Sequence, residues 1–386
     1  MQAAGLAEVL ATFGPAYLAT HRLPRGGAKV WRAILACRTA ALGGHVEACD
    51  RCGTTRHVYH SCRNRHCPRC QSRATEAWLA ARRREVLPVP YFHLVFTLPH
   101  DLNGLIGAAP RAIYELLFAA VAATLNAFAA NPRHLGGVPA FSLVLHTWTQ
   151  DLRRHVHVHA LVAGGALTPE GAWVRPSKGF LFPVRALSRV FRGKFVAGLA
   201  ALVRSDRLSR APREAWPAWT ALSARLYAHD WVVYAKQPLG GAQAVLDYLG
   251  RYTHRVAISN ERIVGIDGDE VALRVRADAD RGKKRTLRLP GPTFIERFLL
   301  HVLPSGFKRI RHYGLLAPAH KQRSLAGARA ALEAPAPPPA LIESVADFLR
   351  RVARIEQARC PCCGGVLRVV AAIAPTPSTP HVRGPP

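Results

Sequence analysis

Arg153-Arg154-His155-Val156-His157-Val158-His159-Ala160-Leu161-Val162 is the stretch whose period decides the architecture. Histidine and valine alternate, and the alternation runs into an apolar segment. A strand turns successive side chains to opposite faces. His155, His157 and His159 therefore share one face of a strand, with the valines packed behind. Imidazoles grouped on one rigid face suit a divalent metal ion. The competing reading is an exposed histidine face, or a histidine paired within the core. A third histidine, a basic chain and a tyrosine pair downstream favour the metal.

Working outward, Phe141 to Trp148 and Val156 to Ala163 read as two strands of a hairpin joined by a short polar loop. Tyr91 to Leu98 and Trp231 to Ala235 read as further strands, rich in aromatic and β-branched residues. Val271 to Arg276 and Arg285 to Leu289 make a second hairpin around Asp280-Arg281-Gly282-Lys283. Helices are expected over residues 1–36, from Ser72 to about Val86, from Pro110 to Ala130, and from Ala242 to Tyr252. Hairpins interspersed with helices predict an α+β fold with an antiparallel-sheet core. A small zinc-binding module precedes that core. The chain divides into a helical and zinc-binding domain over 1–92, a catalytic domain over 93–324, a Pro-rich linker over 325–340, and a segment over 341–386. That last segment holds a short helix, a cysteine turn and a tail expected to be disordered.

Charge narrows the function. The 386 residues carry 53 Lys+Arg against 24 Asp+Glu, a net charge of +29. Such a surplus points to a polyanionic partner, and arginine forks phosphate well. A GC-rich genome explains arginine over lysine but not the scarcity of acids. The start, Met1 to Glu8, shows no secretory pattern. The longest apolar run, Leu116 to Ala130, holds Asn126 and falls short of the roughly 20 residues a membrane span needs. A cytoplasmic protein without a membrane partner is expected, and its nine cysteines read as metal ligands rather than disulfides.

Cys49-x2-Cys52 and Cys67-x2-Cys70 are two knuckles fourteen residues apart. Two such turns complete one tetrahedral zinc site, with Gly53 and Pro68 suited to the tight geometry. Cys62 and His66 lie between them, with His45, His57 and His60 near, and offer either a second site or a substitute ligand. Cys37 reads as a small buried residue. Cys360-Pro361-Cys362-Cys363-Gly364 is a further knuckle-like turn with no partner pair beyond it. A metal there needs ligands from elsewhere in the chain or from another subunit.

Tyr248 and Tyr252 lie four residues apart on an expected helix, so both phenols share a face. The bland reading is aromatic packing. Beside a histidine-held metal, a tyrosine can attack a phosphodiester, because the metal offsets the high pKa of the phenol.

His157-Val158-His159 together with Tyr248-x3-Tyr252 resembles the HUH endonucleases, and most closely the two-tyrosine rolling-circle insertion-sequence transposases with an N-terminal zinc-binding domain. Ser61-Cys62-Arg63-Asn64-Arg65-His66-Cys67-Pro68-Arg69-Cys70, Leu145-His146-Thr147-Trp148, Tyr248 to Asn260 and Gly306 to Gly314 are similar to that family's recurrent blocks. The resemblance covers about residues 10–320. It implies an HUH core, structural zinc, catalytic magnesium or manganese, and nicking and transfer of single-stranded DNA at transposon ends and target. Such sites add a third polar ligand, which the sequence leaves open. In a hairpin closing near 151–152, His146 faces His157. Gln150 and His155 are alternatives. Arg251, His254, Arg255, Lys308, Arg309 and Arg311 are expected DNA contacts, with Tyr313 a base-stacking candidate. A plasmid replication initiator or conjugative relaxase shares the chemistry, and a zinc-dependent DNA-binding regulator shares the charge.

Overall fold

A computed structural model describes residues 4–24, 26–70, 78–177, 179–205, 208, 219–235, 244–245, 250, 257–276, 283–337, 347 and 359–376. Among these, three antiparallel sheets and their helices make an α+β architecture. The hairpin read from the alternation is present and longer than expected. Its strands β4 (Val138–Trp148) and β5 (Arg154–Leu167) form the centre of a six-stranded sheet. β11 (Ile310–Gly314) borders β4. On the other side of β5 lie β3 (Tyr91–Thr97) and then β7 (Val233–Ala235), while the short β6 (Trp173–Val174) pairs with the far end of β5.

The period of two divides this sheet. Leu143 and Leu145 of β4, Val156, Val158, Ala160 and Val162 of β5, and Phe92, Leu94 and Phe96 of β3 all enter one apolar core. Two long helices cover that face. One is α4 (Pro110–Ala130), reached through the short α3 (Asn103–Ala108), and the other is α5 (Val184–Arg204), a helix the sequence reading did not name. α4 has Pro at its first position, where no amide partner is lost. It is long and apolar enough to cross a membrane, but here Ile113, Leu117, Phe118, Val121 and Leu125 pack onto the sheet. α6 (Trp219–Ala228) adds Leu222 and Leu226 to the same core. The opposite face carries the histidines.

A second core lies beside the sheet. β8 (Ile263–Asp267), β9 (Glu270–Arg276) and β10 (Lys284–Pro290) form a three-stranded sheet that includes the second expected hairpin. α7 (Gly291–Leu299) packs there through Phe294, Ile295 and Phe298, against Leu6, Val9, Leu10 and Phe13 of α1 (Leu6–Thr20). A Cβ at Gly291 would overlap the Phe13 ring, so the approach of α1 depends on glycine at that position. α2 (Gly27–Ala36) adds Val30, Trp31 and Ile34. α1 and α2 are helical as expected, and they share one apolar core with β8, β9 and α7.

The third sheet departs most from expectation. β1 (Gly44–Cys49) is its centre, flanked by β2 (Thr55–Tyr59) and by β12 (Leu367–Ile373). The carboxyl-terminal segment therefore returns to the amino-terminal module. β12 buries Leu367, while its next five residues are exposed. One buried leucine contributes about 1.5–3 kcal/mol, against about 1–2 kcal/mol for each residue ordered, so apolar burial alone does not hold this strand. The expected linker also starts later: α8 (Lys321–Ala331) continues through 325–331 because Leu325 and Ala328 pack beside Tyr91 and Leu161. The expected helix of Ala242 to Tyr252 lies largely outside the described residues.

Two histidines, the buried His301 and the half-buried His312, lock the edges of the histidine face. His301 donates from Nε2 to the Leu152 carbonyl (2.9 Å), and its Nδ1 lies 3.1 Å from Thr147 Oγ1, bridging the β4–β5 turn. His312 on β11 lies 2.8 Å from Ser142 Oγ and 2.9 Å from an Arg82 guanidinium nitrogen. Burial lowers both to about 4 from an ordinary value of 6.5, with Arg82 and Lys321 adding to the effect at His312. Between pH 6.5 and 4 the unfolded chain binds protons that the folded chain refuses, so stability falls as pH falls through that window. The denaturant midpoint should decline steadily from pH 7 to pH 4.5. A midpoint flat across that interval would contradict the buried neutral state.

Candidate metal centres and nucleic-acid interface

The β4–β5 register sets His146 opposite His157, and the pleat places His159 on the same face. The ligand atoms of these three histidines lie within 4.8 Å of one another. His157 Nε2 and His159 Nε2 are 3.1 Å apart, a spacing that suits two donors in adjacent positions around one ion. His157 Nδ1 donates to the His155 carbonyl (3.0 Å), which leaves its Nε2 lone pair turned to the cluster. His159 is oriented from behind, its Nδ1 2.9 Å from Nε2 of the buried His93 on β3. Burial is the main reason His157 is lowered to about 4, with His155 adding to it. A neutral imidazole is the ligand form, so the donor set fits a divalent ion.

Of the alternatives for a third ligand, His146 joins the cluster and Gln150 does not. Gln150 Oε1 accepts from the Arg276 amide at 2.7 Å, which ties the β4–β5 turn to β9. The turn diverts it: the register slips between His146 and Trp148, and Gln150 falls beyond the pairing. His155 turns to His100 instead, with ring nitrogens 3.2 Å apart. His93 and His301 were missed in the sequence, since a single histidine in a hydrophobic stretch carries no periodic signal.

The cysteines gather into two groups, and the pairing corrects the expectation. Cys49 and Cys52 do not share a site with Cys67 and Cys70. Cys67 and Cys70 meet Cys62 and Cys37, while Cys49 and Cys52 meet Cys360 and Cys363. In the first group the Cys37 and Cys70 sulfurs are 3.3 Å apart and those of Cys62 and Cys70 3.6 Å. Those spacings exceed a disulfide bond and approach the roughly 3.8 Å edge implied by four thiolates about 2.3 Å from zinc. Cys37 is fully buried, as expected, but its burial is against these thiols at the end of α2. Hydrogen bonding from Cys67 lowers the Cys62 thiol, which favours the thiolate form that binds a cation.

His66 and His45 lie in neither cysteine group. His66 Nε2 accepts the Leu303 amide (3.2 Å), and its other nitrogen lies 3.1 Å from Asn64 Oδ1. His45 Nε2 lies 3.2 Å from Glu47 Oε1. Next to His66, Arg65 donates to the carbonyls of Pro304 and Phe307. The cysteine loop thus clasps the 303–307 turn that leads into β11.

Among the expected DNA contacts, Lys308 is exposed. Arg309 is half-buried, and burial and then Arg65 bring it down to about 10. The Arg311 guanidinium sits over the rings of Phe118 and Phe307, 4.4 and 5.1 Å from their centroids. Tyr313 stacks on Phe141 rather than standing free. Arg309 and Arg311 serve packing as well as charge, and Tyr313 serves packing. Tyr248, Arg251, Tyr252, His254 and Arg255 lie outside the described residues.

A Cys62→Ser and Cys67→Ser double variant should lose one equivalent of bound zinc and unfold more readily. Elemental analysis and thermal melting check this. Unchanged zinc content would remove Cys62 and Cys67 from any centre.

Comparison with known proteins places these features together. Residues 9–98 match a family described as "Transposase zinc-binding domain", and residues 140–324 match one described as "Putative transposase". The "Putative transposase y4qJ" of Sinorhizobium fredii (strain NBRC 101917 / NGR234) is 43% identical over 93% of this chain and 92% of its own length. The "Transposase for insertion sequence element IS801" of Pseudomonas savastanoi pv. phaseolicola is 27% identical over 88% of this chain and 82% of its own. No solved structure matches. The zinc-binding domain spans the first cysteine group, the second family spans the histidine sheet, and the chain belongs to the IS91/IS801-type family of insertion-sequence transposases.

Proposed function

We propose that this transposase nicks single-stranded DNA at the ends of its insertion sequence through a 5′-phosphotyrosine link and transfers the strand by a rolling-circle route. The observation that carries this reading is the convergence of His146, His157 and His159 on one sheet face. These three imidazoles would hold magnesium or manganese, which would supply charge neutralisation at the scissile phosphate. His93 and the His155 carbonyl hold the two strand histidines in orientation, so the site forms without rearrangement.

Tyr248 and Tyr252 are the proposed nucleophiles, on the strength of their i,i+4 spacing. The phenolic oxygen bonds to phosphorus and the bond to the 3′ oxygen breaks. The phenol gives up its proton, and the departing oxygen takes one up as a 3′-hydroxyl. The bond energy stays in the phosphotyrosine, so the hydroxyl can later rejoin a strand by the reverse displacement. With two tyrosines, a donor end and a target end can be held together. The surplus of basic residues supplies affinity for the strand. The structural zinc holds the module that braces the turn before β11.

Variants separate these roles. His157→Ala and His159→Ala should abolish cleavage yet retain DNA binding, since the basic surface is unchanged. His146→Ala should behave like them, while Gln150→Ala should keep its cleavage rate. The reverse order would move the third ligand to Gln150.

Single Tyr→Phe changes at 248 and 252, then both together, are assayed for a covalent adduct on labelled single strands from the element's flanks. The double variant should form none. An adduct that persists would place the nucleophile elsewhere. No adduct from the unaltered chain under any divalent ion would favour a DNA-binding regulator without catalysis.

A further inference from the structure

The second cysteine group joins residues more than three hundred positions apart. Cys49 and Cys52 close the β1–β2 turn, while Cys360 and Cys363 lie on a turn just before β12. The two turns repeat each other. In the first, the Cys49 amide donates to the Thr54 carbonyl (3.0 Å) and the Gly53 amide to the Cys49 carbonyl (3.1 Å). In the second, the Cys360 amide donates to the Gly365 carbonyl (2.7 Å) and the Gly364 amide to the Cys360 carbonyl (2.9 Å). Gly53 and Gly364 take the same left-handed conformation, φ +69° and +72°. Each turn thus presents two sulfurs in the same way, and the pairs face each other. Cys49 and Cys363 sulfurs are 3.4 Å apart, those of Cys52 and Cys360 3.7 Å.

These spacings are too long for disulfides and fit the edges of a four-thiolate tetrahedron. The backbone is arranged around the sulfurs. The Arg51 amide donates to Cys49 Sγ at 3.4 Å, and the Asp50 amide donates to the Val366 carbonyl at 3.0 Å. The Val366 amide returns a bond to Asp50 Oδ1 at 2.9 Å. A Cβ on Gly365 would come 2.8 Å from Cys49 Sγ, so the second turn fits the first only with glycine there. Cys362 is exposed and stands outside the group. The apolar cluster at this junction consists of Cys49, Cys360 and Leu367 with Cys363 against it, so the sulfurs make up most of its apolar contact, and the β1–β12 backbone pairing is the other tie.

We propose that Cys49, Cys52, Cys360 and Cys363 form a second structural zinc centre, which locks the carboxyl-terminal strand β12 onto β1. The metal is of the thiolate-preferring divalent class, with zinc the ion available in a reducing compartment. Its binding is linked to docking of the strand, because the ligand set is complete only when the two turns meet. When the metal leaves, β12 loses its clamp and the edge of β1 is uncovered.

The test uses the full-length chain. Purified protein should contain two zinc ions by elemental analysis, and the Cys360→Ser and Cys363→Ser double variant one. Two zinc ions retained in that variant would overturn the proposal, as would a single ion in the unaltered chain whose content the variant leaves unchanged. Thiol alkylation of the unaltered chain, mapped by mass spectrometry, gives an independent readout that does not depend on the variant folding. Cys362 should react at once, while Cys49, Cys52, Cys360 and Cys363 should react only after a chelator is added. Trypsin cleavage at Arg368 should appear with the same chelator dependence. Rapid alkylation of Cys360 and Cys363 in zinc-replete protein would overturn it.

Discussion

The antiparallel pairing of β4 with β5 is the constraint on which the other features depend. Its period of two sends Leu143, Leu145, Val156 and Val158 into the helix-covered core and turns His146, His157 and His159 the other way. A slip of one residue would bury the imidazoles among leucines and expose the valines. The core therefore fixes the register, and the register brings the three histidines together. Strength in one face is converted into positional accuracy in the other. β3 extends the arrangement, since its Phe92, Leu94 and Phe96 enter the core while His93 meets His159.

Much of this was legible because periodicity is a local signal. The His-Val alternation gave the strand, its face and two of the three histidines. Opposing His146 to His157 needed only a hairpin of the right closure. The different placing of His146 and Gln150 was not legible, because it rests on where the β4–β5 pairing ends and on an amide of β9 that lies more than a hundred residues away. The second hairpin and the helix over Pro110–Ala130 were readable for the same local reason. α5 was missed because its charged residues interrupt an apolar stripe that is still sufficient to bury Phe191, Phe195 and Leu199.

The cysteines show the limit more sharply. Spacing identifies a knuckle but not its partner, since a turn of two sulfurs is the same whichever pair completes it. Pairing by proximity in sequence joined Cys49–Cys52 to Cys67–Cys70. The fold instead gave each pair a different partner. The repeated Cys-x2-Cys-Gly at 49–53 and 360–364 was present in the sequence, and it is the clue that two distant turns share one conformation. Likewise, Arg309 and Arg311 were read only as DNA contacts, because composition does not show that aromatic rings and burial claim part of each side chain.

Arg65 and His66 have a wider bearing. Both leave the cysteine loop to bond the backbone at Leu303, Pro304 and Phe307, so the contact reads main chain rather than particular side chains. Phe307 in turn packs in the core beneath the histidine sheet, against Tyr114 and Phe118. A chimaera that took its cysteine loop from one homologue and its sheet from another would thus tolerate many side-chain differences in the turn. It would not tolerate a change in the length of that turn. Insertions and deletions, more than substitutions, set the limits on recombining the two halves of such proteins.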